Sequence, residues 1–281
     1  MEPRERYARA VPELTLSEIR TRYVEGDRPL PTALEEALRA DPRAGARAIL
    51  QAVERRRTER RAEGQRLRWM LEFERELWKR DVVMIAGVDE AGMSPLAGPV
   101  AAAAVVLKPD WRAPGINDSK QVRPELRAEL AQLIKREARA WAVAFVEPDE
   151  IDQINIYWAG IAAMRRAVEA LGVTPEHLLI DARTLREVPI DQTRIVKGDE
   201  RSLSIAAASI LAKTERDARM LAYDGEYPDY GFARHKGYPV REHVAALRQH
   251  GACPIHRRSF GPVREAMGLP PLERPNPPAS D

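Results

Sequence analysis

The spacing of apolar positions divides this chain into two textures. Over residues 12–80 the apolar residues recur at helical intervals. Thr15 with Glu18 and Thr32 with Glu35 stand at capping-box spacing, and Asp41-Pro42 breaks the run. A long Arg-rich, heptad-like stretch follows to Arg80 and includes ERRRTERR. This region reads as a separate all-helical module whose arginines form a solvated face or an auxiliary nucleic-acid contact.

From Val82 the pattern changes. VVMIAGVD (82–89) and PVAAAAVVL (99–107) are short apolar runs that read as buried strands. After a polar loop, an amphipathic helix is expected to start near Pro124. WAVAFVEP reads as a strand, residues from about 149 to 171 as a helix, HLLIDA and RIVKGD as strands, and SLSIAAASILAKTERDARMLAY as a long helix with a small-residue face. A last helix is expected from Pro239 to about His250, with a disordered Pro-rich tail over 269–281. Strands alternating with helices after an initial strand pair predict an α/β layered fold for residues 81–268.

Composition narrows the class of protein. The chain has 281 residues, 44% hydrophobic, with a net charge of +2. It has no run of apolar residues long enough for a membrane helix and no signal-peptide pattern at its start, so a cytoplasmic location is expected. Cys253 is the only cysteine, which rules out an intramolecular disulfide and argues against a thiolate metal site. Residues 1–80 carry an excess of positive charge and the remainder a slight excess of negative charge. That balance argues against a purely electrostatic DNA coat but permits local basic clusters.

Three expected strands finish in acid: GVDE at Asp89 and Glu90, LLIDA at Asp181, and VKGD at Asp199. Carboxyl ends of strands in α/β sheets border the ligand crevice, so these acids are expected to converge. Two carboxylates about 4 Å apart repel by roughly 4 kcal/mol at an effective dielectric near 20, so such a group needs a cation. With no Cys or His cluster, all-oxygen ligation points to Mg²⁺ or Mn²⁺. A pair of such ions would suit phosphodiester hydrolysis. Successive strand residues face opposite sides, so the first strand is expected to end at Asp89-Glu90, with Gly92 allowing the chain to turn. The loop AGMSPLAGP fits neither a Walker nor a dinucleotide pattern, but its backbone amides suit a phosphate or sugar hydroxyl.

GVDEAG and PLAGPV, then NDSK, LIDA, VKGD, SIAAASILAKTERD, YGFARHKGYP and HRRSFGPV, resemble bacterial ribonuclease HII over roughly residues 85–268. The resemblance implies a ribonuclease H-like mixed sheet flanked by helices, with residues 1–80 as the N-terminal extension of some members. It implies an endonuclease that hydrolyses the RNA strand of RNA·DNA hybrids and incises duplex DNA 5′ of single embedded ribonucleotides, leaving 3′-hydroxyl and 5′-phosphate ends. The implied metal-binding, catalytic acids fall on Asp89, Glu90, Asp181 and Asp199. Substrate contacts are implied at Gly92, Met93, Ser94, Asn117, Ser119, Lys120, Lys197, Ser204 and Tyr238. Asp217 reads as a structural salt-bridge partner, and the five histidines show no ligand spacing. The protein is expected to act as a monomer. One departure stands out: the family's Gly-Arg-Gly is Gly92-Met93-Ser94 here, which leaves open a non-catalytic or altered-specificity relative that still binds hybrids.

Overall fold

The computed structural model describes residues 14–109 and 111–272, and the chain divides into two compact units, Met1–Arg66 and Leu67–Asp281. Of the expected disordered tail, 269–272 are exposed and irregular, and the part from residue 273 lies outside the described residues.

In the first unit, α1 (Leu16–Arg20) opens with the expected capping box: the Glu18 amide donates to the Thr15 hydroxyl, and the Thr15 amide donates to the Glu18 carboxylate at 2.7 Å. After a π-helical turn (Thr21–Glu25), α2 (Thr32–Ala40) departs from expectation. Thr32 is already helical behind Pro31, so it cannot serve as the cap. Glu35 instead takes Arg39 and Arg57, each at 2.7 Å, which hold its carboxyl down at about 2. The helix α3 (Ala44–Trp69) carries the ERRRTERR stretch. Part of that stretch is not a free face: Arg56 donates to the Tyr23 carbonyl at 2.7 Å, and Arg60 pairs with Asp27. Ile19, Leu34, Leu38, Ile49 and Val53 form the small core beneath these contacts.

The second unit begins earlier than the expected boundary at residue 80. Leu67, Met70 and Leu71 are buried with the sheet core, and α4 (Glu72–Trp78) packs Leu77 against Ile85, Leu179 and Ile195. The sheet follows with β1 (Ile85–Ala91), β2 (Val100–Val106), β3 (Ala140–Val146), β4 (His177–Asp181) and β5 (Asp191–Ile195), in the order β3-β2-β1-β4-β5. Strands β1, β2 and β3 pair antiparallel, whereas β4 lies parallel to both β1 and β5. Between the strands run α5 (Pro124–Glu137) and α6 (Pro148–Glu169), both with Pro in the first turn, where its missing N–H costs nothing. Beyond β5 come α7 (Gly198–Arg201), α8 (Leu203–Glu226), α9 (Phe232–His235), α10 (Arg241–His250) and α11 (Gly261–Ala266). The helix α11 has no counterpart in the sequence-based reading.

Side-chain alternation separates two cores. Even-numbered residues of β1 and β2 (Ala86, Val88, Ala102, Ala104) meet α6, while Ala103 and Val105 meet α8 and α5. The small residues of β2 and α8 let helix and sheet approach closely, most of all at Gly87. A Cβ there would sit 2.0 Å from the Ser204 carbonyl carbon, so only glycine fits beneath the start of α8.

Candidate active site

Two expectations about the strand ends need correction. Strand β1 does not stop at Asp89; it runs on through Ala91, because β2 continues the ladder with Asp89 opposite Ala103 and Glu90 opposite Ala102. Only the parallel partner stops, with Val88 opposite Ile180, so Asp181 is the next residue of β4 beside the position of Asp89. Asp199 is not on a strand. Strand β5 ends at Ile195, Lys197 turns left-handed at φ 55, and Asp199 sits in the single turn of α7. The α7 turn is tied back to β4, since the Gly198 amide donates to Asp181 Oδ1 at 2.7 Å.

These acids crowd one end of the central strands electrostatically. Burial pushes the Asp89 carboxyl well above the usual carboxylate range, and Glu90, Asp181 and Asp199 push it further, against a hydrogen bond from Ser209. Burial also raises Glu90, opposed by Arg183 at 3.6 Å and reinforced by Asp181. Asp199 is pushed up to about 6, by burial first, then by Asp118 and Asp181, with Lys120 opposing. The group is not a finished cage: among the described residues no three His, Cys, Asp or Glu side chains are gathered at metal-holding distance. Asp89 and Glu90 leave opposite faces of β1, Asp181 is held by an amide, and Glu90 leans to Arg183, so the expected meeting at one point becomes a cluster spread around the strand ends. Glu90 Oε2 nevertheless is buried with no hydrogen-bond partner.

The loop after β1 is held by two arginines buried without an ion pair among the described residues. Arg257 donates to the carbonyls of Gly92 at 2.6 Å, Met93 at 3.1 Å and Gly98 at 2.9 Å. Arg216 donates to Pro99 at 3.0 Å, Ala97 at 3.1 Å and Lys236 at 3.0 Å. Gly92 has φ +93, and a Cβ there would strike Arg216 Nε at 2.1 Å, so both its conformation and the space demand glycine. Met93 turns inward and packs on Gly160, while Ser94 is exposed.

Residues 86–263 match the family model described as Ribonuclease HII, and residues 15–78 match Ribonuclease HII N-terminal domain. The chain belongs to the ribonuclease HII family. A ribonuclease HII of Myxococcus xanthus (strain DK1622) is 58% identical over 259 residues, 92% of this chain and 88% of that one. One from Geobacillus kaustophilus (strain HTA426) is 49% identical over 232 residues, 83% of this chain and 89% of that one. The crystal structure of ribonuclease H2 from Pyrococcus horikoshii OT3 matches with a TM-score of 0.57 at 25% identity, covering 66% of this chain and 97% of that chain. The mixed five-stranded sheet flanked by helices is thus the ribonuclease H-like fold of this family of endoribonucleases.

The remaining residues singled out by the ribonuclease HII resemblance are placed unevenly. Ser119 is buried, with its hydroxyl 3.0 Å from that of Ser209, one step from Asp89. Asn117 donates to Gln121 at 3.1 Å, and Gln121 donates to Glu200 at 3.1 Å, which links the NDSK loop to α7. Lys120 faces the acids: burial works against its charge, but Asp118, Asp89 and Asp199 together raise its pKa. Lys197 is exposed. Ser204 is not available to a substrate, because it is buried under Gly87 with its amide donated to Glu74 at 3.0 Å. Asp217 is the salt-bridge partner expected, with Lys213 at 2.7 Å and Arg127 at 3.6 Å. Asp118, Arg183, Ser209, Arg216 and Arg257 escaped the sequence reading. Arg216 left a signal, for it stands on the inward stripe of α8 with Ala208, Ala212 and Met220 at four-residue spacing.

Tyr238 is half-buried, with Lys213 Nζ 5.6 Å from its ring centroid, beside a cavity of about 510 Å³ lined by Arg127, Lys213, Arg234 and Lys236. A histidine chain fixes its backbone. The Cys253 amide donates to His256 Nδ1 at 3.0 Å, so the neutral His256 carries its proton on Nε2 and donates to His243 Nε2 at 3.1 Å. His243 then carries its proton on Nδ1 and donates to the Tyr238 carbonyl at 2.9 Å. Burial lowers both rings to about 4. The native state therefore binds fewer protons than the unfolded chain between about pH 4 and 6.5, and this contribution is full above 6.5 and lost on acidification. We expect on the order of 2 to 3 kcal/mol per ring to disappear by pH 4. Urea melts of the native chain and of a His243→Gln, His256→Gln double variant should converge as the pH falls; parallel curves would refute the chain.

Proposed function

We propose that this chain is a divalent-metal-dependent endonuclease that hydrolyses the RNA strand of RNA·DNA hybrids and incises duplex DNA 5′ of a single embedded ribonucleotide, leaving 3′-hydroxyl and 5′-phosphate ends. The observation that carries this reading is the acid cluster of Asp89, Glu90, Asp181 and Asp199, in which burial and neighbouring carboxylates raise Asp89, Glu90 and Asp199. A cation fits its chemistry: the donors are all oxygen, their repulsion calls for positive charge, and Glu90 Oε2 has a buried lone pair to offer. Those four acids would hold Mg²⁺ or Mn²⁺, as two ions during reaction. When bound, such ions supply Lewis acidity to the scissile phosphate and a nucleophilic water at neutral pH.

The chain's own residues do the positioning. A trans peptide points its N–H opposite its C=O. By gripping the Gly92 and Met93 carbonyls, Arg257 therefore aims the Met93 and Ser94 amides away from itself, toward a ribose 2′-hydroxyl. Because that aim comes from the backbone, it survives the replacement of the family's arginine by Met93, which favours a working enzyme over a hybrid-binding relative. Tyr238 would stack against the ribonucleotide, and the basic cavity beside it, with Lys120, Lys197 and Asn117, would take neighbouring phosphates. The N-terminal unit would add to substrate affinity.

The test is a duplex carrying one ribonucleotide, incubated with intact protein and Mn²⁺ or Mg²⁺. We expect one nick on the 5′ side of the ribonucleotide. No cleavage of this duplex or of an RNA·DNA hybrid would overturn the reading.

A further inference from the structure

Beside Glu90, on the α6 face of the sheet, lies a second cavity of about 940 Å³, within the size range of small-molecule sites. One wall is α6 and the other is the chain from Ala182 to Arg194. Its lining combines two features that a structural core would not leave in water. Tyr157 and Trp158 are 48% and 53% exposed, and their rings meet edge to face at 5.2 Å. Around them stand Arg165, Arg183, Arg186 and Arg194, against Glu187.

The charges do not balance. Arg165 is paired with Glu187 and Glu169, and Arg183 lies 3.6 Å from Glu90 with its guanidinium 4.9 Å over the Tyr157 ring. Arg186 and Arg194 are exposed and form no ion pair among the described residues. The aromatic pair is also held in place at a cost. Asn155 interrupts α6 with φ 66 and ψ 166, a conformation that non-glycine residues rarely adopt and that costs about 1 to 3 kcal/mol. Its Oδ1 accepts the Tyr157 amide at 3.0 Å and the Trp158 amide at 3.3 Å, so the helix restarts with both rings in its first turn.

We propose that this cavity is a nucleotide subsite for the substrate strand: a base stacks on Trp158 and Tyr157 while Arg186 and Arg194 contact its phosphates. Exposed aromatic faces with unpaired guanidiniums are the chemistry that holds single nucleic-acid strands without reading sequence. The Tyr157, Arg183, Glu90 contacts join this platform directly to the acid cluster, so a strand crossing the acids reaches it. The inference rests on the proposed nuclease function, because it assumes a nucleic-acid substrate.

The experiment measures binding of an RNA·DNA hybrid in Ca²⁺ by fluorescence anisotropy, for the full chain, Trp158→Ala, and Arg186→Ala with Arg194→Ala. The first variant should raise Kd by about 5- to 150-fold, the range set by one base-stacking contact. The double arginine variant should flatten the slope of log Kd against log salt by about one to two. In a Trp158→Phe comparison, the fluorescence that the native chain loses on binding should be absent. Unchanged Kd, slope and quenching in folded variants, while the native chain binds and cuts, would overturn the subsite alone, including the case in which the aromatic pair serves a protein partner. A native chain that neither binds nor cuts the hybrid would overturn the function with it.

Discussion

Asp89→Asn is expected to abolish cleavage and at the same time to make the protein harder to melt. Asparagine keeps the shape of the side chain but removes a charge from a place where burial and three other acids oppose it. The sign follows from linkage. The folded-state pKa of Asp89 is raised above its unfolded value, so the native state binds the extra proton between the two, and stability falls as pH rises through that window. The penalty grows as the pH rises through that window, and the variant escapes it. We expect a rise in Tm of about 4 to 8 °C, equivalent to roughly 2 kcal/mol for a unit of this size. Cleavage should fall by about three orders of magnitude, close to 4 kcal/mol of transition-state stabilisation. Calorimetry across pH supplies the check that a packing artefact would not pass: the gain should shrink as the pH falls through and below about 4, where the unfolded native chain takes up the proton that the folded one already holds. A variant that melts lower than the native chain at pH 8 would show Asp89 to be a structural partner instead.

Much of this was legible in the sequence because the relevant signals are local. Apolar runs with β-branched residues located β1 to β4 to within a few residues, whereas β5 runs Asp191–Ile195 and shares only two residues with the expected RIVKGD; Pro124 and Pro148 stand at the starts of their helices. The acids Asp89, Glu90 and Asp181 were legible because each stands at the polar end of an apolar run. What escaped has a common cause. Whether β1 ends at Asp89 depends on β2, a partner along the ladder, and a single strand's pattern does not reveal how far its neighbour extends. The turn that moves Asp199 onto α7 is set by Lys197 in a left-handed conformation, which no lysine advertises. Thr32 and Glu35 had the spacing of a cap, but Arg57 on another helix captured the glutamate. The burial of Ser204 was hidden because it depends on Gly87, on another element, letting the start of α8 settle onto the sheet.

Arg257 shows how such long-range contacts decide function, and its replacement should have the second large effect. It is separated from Gly92 by 165 residues in sequence, yet it is the donor that satisfies three carbonyls of the loop, two of them buried. Burial first, and then the neighbouring Arg216, lower its guanidinium to about 9. Its hydrogen bonds to the loop, with attraction from Asp152, hold it against both desolvation and repulsion. Arg257→Met would relieve that repulsion but strand three acceptors, at about 1 to 3 kcal/mol each. We expect a net loss of about 3 to 5 kcal/mol and a fall in Tm of about 10 °C. Arg257→Lys should not rescue, since a single ammonium cannot span carbonyls that a guanidinium fork reaches together. The functional readout separates positioning from mere stability. At a temperature where the variants remain folded, loss of the aimed Met93 and Ser94 amides should reduce kcat on a ribonucleotide-containing duplex more than it raises KM, while Mn²⁺ binding measured by calorimetry stays unchanged. A lysine variant with native Tm and native kcat would show that the loop holds itself, and that Arg257 only fills space beneath it.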